Sequence, residues 1–215
     1  MDGPDYDAMR LQELAAMSEL LHELRPDEWD APSVCDGWRV RDVVAHICLG
    51  YTTPMPVMLV KVGRYGFNVP RASKLESIAY ASTEAPDELL AVFDTIHRDR
   101  VRKGISKVIK PAEGLVDHTI HHQDIRRPLG RPRTVPEDRL VAALGVIPGL
   151  GGFVGAKRRV EGLRLVASDV PWAAGSGLEV VGPGEAILLA ASGRALALPE
   201  LEGAGVATLR SRLAA

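Results

Sequence analysis

Apolar side chains return every three or four positions in separate runs through the first part of the chain. Met9, Leu11, Leu14, Met17, Leu21 and Leu24 form one such stripe, closed by Pro26. Val40, Val43, Val44, Ile47 and Tyr51 form a second. A third begins at Pro86-Asp87-Glu88, a proline and two acids suited to a first helical turn, and carries Leu89, Leu90, Val92, Phe93 and Ile96, with Val101 at its far end. A fourth helix is expected from Glu113 to Arg127, stopped by Pro128 and Gly130. A helix with one apolar stripe must bury it against a neighbour, so four of them in succession predict a helix bundle.

The segments between are turn-rich. Asp27 to Trp38 holds Pro32, Ser33, Asp36 and Gly37. Pro54 and Pro56 should interrupt the second helix before Met58 to Val62 resume it. Gly63, Gly66, Asn68 and Pro70 read as a loop, followed by a short helix over Lys74 to Ala81. Arg98, Arg100, Arg102, Lys103, Lys107 and Lys110 gather at and beyond the end of the third helix, where cations suit the helix dipole.

After Pro136 a short helix fits through Leu140 and Leu144. From Gly162 the texture changes: Leu163 to Val166 and Leu178 to Val181 read as two short strands flanking a Gly-rich turn. A buried helix over Glu185 to Ala191 and one or two more between Leu198 and Leu213 follow. The expected fold is mainly α: a four-helix bundle over residues 1–135, a connector helix and Gly-rich segment over 136–160, and a small α+β C-terminal domain over 161–215.

Composition narrows the function classes. Lys and Arg total 26 against 28 Asp and Glu, so there is no overall basic field to hold nucleic acid or an anionic membrane. Two cysteines, Cys35 and Cys48, cannot make a disulfide framework, and with Asp2, Asp5 and Asp7 in place of a signal peptide a cytoplasmic home is expected. The longest uncharged stretch, Leu140 to Ala156, carries Gly145, Pro148, Gly149, Gly151, Gly152 and Gly155 and falls short of the roughly 20 apolar residues a membrane span needs. It reads as a buried or flexible connector. No phosphate-cradling Gly loop and no serine elbow is present.

The segment Asp117-His118-Thr119-Ile120-His121-His122-Gln123-Asp124 concentrates the chemistry. On a helix Asp117 lies over His121, and His118 over His122 on a face turned by about 100°. A carboxylate and an imidazole at that spacing converge on one divalent cation, and a third ligand must come from another helix. His46 is the candidate, because it sits in the apolar run Val43-Val44-Ala45-His46-Ile47, where an unpaired imidazole is costly. Two His and one carboxylate leave coordination positions open, the pattern of catalytic rather than structural sites. The plainer alternatives stand beside this: a hydrogen-bonded core histidine at His46, and a helix-surface pair at Asp117 and His121. Cys35, in the turn before Asp36-Gly37, could approach the site but reads first as a small buried residue, while His22 and His97 read as surface residues without partners.

Three motifs in order carry a family resemblance. Trp29 to His46, with Pro-Ser-Val-Cys-Asp-Gly-Trp-Arg-Val-Arg-Asp-Val-Val-Ala-His, resembles the opening motif of the mycothiol-dependent maleylpyruvate isomerase family, within the wider DinB-like (YfiT-like) metalloenzyme bundles. His121 to Gly130 resembles its second motif, and Leu165 to Asp169, Trp172, Gly182-Pro183, Ser192-Gly193-Arg194 and Leu201 to Leu213 its small C-terminal domain. The resemblance is weakest over residues 53–110.

It implies a DinB-like four-helix bundle and a divalent metal, zinc first with nickel or another ion as alternatives, held by His46, Asp117 and His121. Asp117 stands where the family usually has Glu, one methylene longer, so the backbone must approach by about 1 Å or His118 or His122 must substitute. Arg39 stands where a Ser or Thr cap is expected, a loss of about 1 kcal/mol. The resemblance further implies mycothiol or a similar low-molecular-weight thiol as cosubstrate, made nucleophilic because a metal lowers the pKa of a thiol it coordinates. Arg194 matches an arginine linked with activity, either holding a substrate carboxylate or capping a surface helix. Expected partners are this thiol and a small electrophile, with neither nucleic acid nor membrane, in a monomer or homodimer. The leading reading is a metal-dependent thiol transferase or maleylpyruvate-isomerase-like enzyme; the alternative is a non-catalytic metal or small-ligand binding protein of the same fold. A DNA-binding regulator is argued against by the neutral charge.

Overall fold

The structure, a computed structural model, describes residues 3–98, 102, 104–152 and 154–214. Arg100, Val101 and Lys103 lie outside them. The chain forms two compact units, one of Asp7–Gly114 and His121–Arg133, the other centred on Leu115–Ile120 and Thr134–Ala215.

The first unit holds α1 (Tyr6–His22), α2 (Val40–Thr52), α3 (Met55–Arg64), α4 (Val69–Thr83), α5 (Pro86–Arg98) and most of α6 (Pro111–Arg126). Its core is made by the stripes expected from sequence: Leu14, Met17 and Leu21 of α1, Val43, Val44 and Ile47 of α2, and Leu89, Phe93 and Ile96 of α5. Helix α2 lies at the centre, packed on both α4 and α5. Arg39 makes no side-chain cap, as expected. The Asp42 carboxylate accepts from the Arg39 backbone N–H at 2.8 Å and ion-pairs the Arg39 guanidinium, which supplies the reciprocal half of a capping box.

Residues 63–85 depart from expectation. Helix α4 starts at Val69, well before Lys74, and runs to Thr83. The Asn68 side chain caps it, accepting from the Arg71 N–H at 3.0 Å, and Pro70 sits in its first turn. Asn and Pro mark a helix start as well as a loop, and the buried face of α4 is Ala72, Ser77 and Ala81, too small to show as an apolar stripe. Pro54 likewise precedes a new helix, α3, from Met55, whose buried face is reduced to Val62.

The second unit contains α7 (Glu137–Val146), α8 (Ala156–Val160), β1 (Leu163–Ala167), β2 (Ala173–Gly175), β3 (Leu178–Gly182), α9 (Gly184–Ala191) and α10 (Val206–Leu213). The sheet order is β2-β1-β3, with Leu165 opposite Ala174 in the antiparallel pair and opposite Val180 in the parallel one. The expected Gly-rich turn therefore contains a third strand. Ala173-Ala174-Gly175 has no strand propensity of its own and is held by its neighbour; Gly175 has φ +79° and its Cβ would stand 2.2 Å from the Leu163 carbonyl oxygen. Helix α9 is buried along its length, and the connector's Leu140, Leu144, Ile147 and Ala156 join it in one core. No helix of the described residues is long and apolar enough to cross a membrane.

Candidate metal centre

His46 projects from α2 because its neighbours Val43, Val44 and Ile47 face the core and leave it on the flank of the buried stripe. Its Nδ1 lies 3.1 Å from the Ser73 hydroxyl of α4, and its ring is 5.2 Å from Trp38 and 5.1 Å from the His121 ring. His121, on α6, has its Nδ1 2.9 Å from Asp124 Oδ2. Asp124 is fully buried, and the same oxygen accepts from the Cys35 thiol at 3.1 Å. Asp117 lies one turn earlier on α6, its side chain 43% exposed.

One ligand atom each from His46, Asp117 and His121 lies within 4.8 Å of the others. The hydrogen bonds sharpen this. Nδ1 of His46 lies at Ser73 and Nδ1 of His121 at Asp124, so a cation held by both rings would be met by Nε2 of each. A carboxylate behind a ligating imidazole fixes its tautomer and raises its basicity. A second group, Cys35, His121 and Asp124, also brings one ligand atom each within 4.8 Å of the others, with Cys35 Sγ and Asp124 Oδ2 both at His121 Nδ1.

His122 has another role. Its Nδ1 lies 2.8 Å from Glu13 Oε1 of α1, and its Nε2 accepts from Arg126 Nε at 2.8 Å, so both nitrogens are used. Burial, reinforced by Arg133 and Arg126, pushes it down to about 4, so it is a neutral imidazole at pH 7. Burial would raise Glu13, but the His122 hydrogen bond and Arg133 outweigh it and hold the carboxylate at about 2. Arg133 also bonds Glu13 directly. His118 is buried, with Nδ1 3.4 Å from Asp117 Oδ2.

Outside this cluster, Arg194 precedes the 3-10 turn Ala195–Glu200 and donates from Nη1 to the Ser192 carbonyl at 3.0 Å. His22 and His97 do have a partner: Asp94 of α5 lies 3.0 Å from His22 and 3.7 Å from His97, and accepts from Ser18 at 2.6 Å. Burial pushes the Cys48 thiol up to about 12, so it stays protonated.

The sequence alone gives Ser73, Trp38 and Asp124 no roles and favours packing for Cys35 over an approach to the site. Asp124 was findable, three residues after His121 on the same helix. Ser73 was not, because its helix shows no stripe.

Residues 10–126 match the model of the family described as the mycothiol maleylpyruvate isomerase N-terminal domain. The chain belongs to that family. Over its length it is similar to the crystal structure of the mycothiol-dependent maleylpyruvate isomerase, with a TM-score of 0.60 and 17% identity over 93% of this chain and 92% of that one. A histidine-to-alanine mutant of the mycothiol-dependent maleylpyruvate isomerase gives 0.57 at the same identity and coverage. At this identity the likeness establishes the fold: a helical domain followed by a small α+β part. No curated protein sequence matches the chain.

Proposed function

We propose that the protein is a divalent-metal-dependent enzyme that uses a low-molecular-weight thiol of the mycothiol type, as an isomerase of the maleylpyruvate kind or a thiol transferase. The observation that carries the reading is the convergence of His46, Asp117 and His121 ligand atoms within 4.8 Å, with each imidazole's Nδ1 already engaged. Two imidazoles and a carboxylate are a donor set that fits zinc first and nickel or another divalent ion as well. When bound, such an ion supplies Lewis acidity that lowers the pKa of a coordinating thiol.

The chain's own residues do the rest. The Asp124 carboxylate, which only accepts, holds His121 with its proton on Nδ1, the Ser73 hydroxyl orients the His46 ring, and Trp38 covers both rings on one side. Half-exposed Asp117 is the edge at which water and substrate reach the site. Arg194 is proposed as the group that binds a carboxylate of the electrophile, through the planar guanidinium geometry suited to it.

Metal content of purified protein tests the site, with His46→Ala and His121→Ala each expected to lose the ion. Consumption of a small thiol in the presence of maleylpyruvate or a generic electrophile tests catalysis. Protein that holds metal but turns over neither would be a binding protein and would overturn the enzymatic reading.

A further inference from the structure

We propose that the Nδ1 side of His121 forms a second cation position, with the Cys35 thiolate, the Asp124 carboxylate and His121 Nδ1 as ligands, selective for thiophilic divalent ions. The proposal takes His121 as a ligand of the first centre, and so rests on the function proposed above. Its three ligand atoms are separated by 3.1 Å (Cys35 Sγ to Asp124 Oδ2), 3.9 Å (Cys35 Sγ to His121 Nδ1) and 2.9 Å (His121 Nδ1 to Asp124 Oδ2). Around a tetrahedral ion with bonds of about 2.3 Å to sulfur and 2.0 Å to nitrogen and oxygen, such atoms stand roughly 3.3–3.6 Å apart. The observed edges bracket that range, so shifts of about half an ångström suffice.

The site is held in place. The loop carrying Cys35 is tied to α6 by the Val34 N–H on the Asp124 carbonyl at 3.0 Å. It closes on itself through Ser33 N–H to the Trp38 carbonyl at 2.8 Å, Trp38 N–H to the Cys35 carbonyl at 2.9 Å, and Cys35 N–H to the Ser33 hydroxyl at 3.2 Å. Cys35 is half-buried, so an ion can reach it, whereas Cys48 is enclosed.

The proton balance makes the two positions exclusive. Binding at the second releases the Cys35 thiol proton to solvent and moves the His121 Nδ1 proton to Nε2. A neutral imidazole has one lone pair, so His121 then has none for the first centre. A soft ion at Cys35 is therefore an inhibitor of the first site, and the sulfur ligand favours cadmium and zinc over magnesium or manganese.

Cadmium titration of the full chain tests this, read by the sulfur-to-cadmium charge-transfer absorbance in the ultraviolet. The expected result is a band saturating at one equivalent in the unmodified protein, kept in His46→Ala. C35S should abolish the band and weaken cadmium binding by about tenfold or more, at least the cost of losing an outer-shell partner. No band in the unmodified protein overturns the second position, as does a band that survives C35S. A band lost in His46→Ala also overturns it, since Cys35 would then serve the first centre. Zinc uptake by the C35S protein reads the first centre separately: that uptake with no cadmium band in the unmodified protein sinks only the second position, and a band in the unmodified protein without that uptake sinks only the first.

Discussion

Asp124 and Asp117 act on the same imidazole environment in different ways, and substitution separates them. Asp124 touches His121 Nδ1, so Asp124→Asn should weaken metal binding by about 10- to 100-fold while leaving the ligand set intact. Competition with a chelator of known affinity measures it, and an unchanged affinity would show that Asp124 does no orienting. Asp117 is itself a proposed ligand with a short side chain. Asp117→Glu should keep the metal, because half-exposed Asp117 has room for one more methylene, whereas Asp117→Asn should lose most of the affinity. Metal content after dialysis distinguishes the two.

At the scale of elements, α4 determines how His46 is presented. The helix begins because Asn68 caps it, and Ser73 then falls one turn later, where its hydroxyl meets His46 Nδ1. Asn68→Ala should cost about 1 kcal/mol, measured by denaturant unfolding. Ser73→Ala should leave stability nearly unchanged while lowering metal affinity, since it removes the hydrogen bond that orients the His46 ring and not a core contact. Core positions behave otherwise. Phe93 is fully buried between α-helical stripes, and Phe93→Ala should cost about 3–5 kcal/mol through lost burial and the cavity left behind.

At the scale of the molecule, the buried network of Glu13, His122, Arg126 and Arg133 makes the fold acid-sensitive. Glu13 is held at about 2 in the folded chain against an ordinary 4.5, so its contribution is fully present above pH 4.5 and is lost as pH falls toward 2. His122 is held at about 4 against 6.5, so the folded state resists its protonation and stability falls as pH drops from 6.5 toward 4. Both act in the same direction. The melting temperature should decline steadily below pH 6.5, and Glu13→Ala should destabilise by roughly 3–5 kcal/mol at pH 7 by leaving Arg133 buried without its partner. A flat melting temperature between pH 6.5 and 4 would contradict this assignment.

What the residues alone determined is what local periodicity and helix-end chemistry can encode. The stripes of α1, α2 and α5 placed the bundle core, the i to i+4 spacing put Asp117 above His121, and the change of texture at Gly162 announced an α+β tail. Tertiary structure decided what depends on neighbours distant in sequence. Helix α4, with its buried face of Ala72, Ser77 and Ala81, and strand β2, a mostly exposed Ala-Ala-Gly, carry no stripe of their own: α4 packs on α2, and β2 is held by its backbone pairing with β1. The four imidazoles near the site look alike in a linear reading. Only the fold gives His122 to Glu13 and backs His46 with Ser73, because hydrogen-bond partners 109 and 27 positions away along the chain have no local signature.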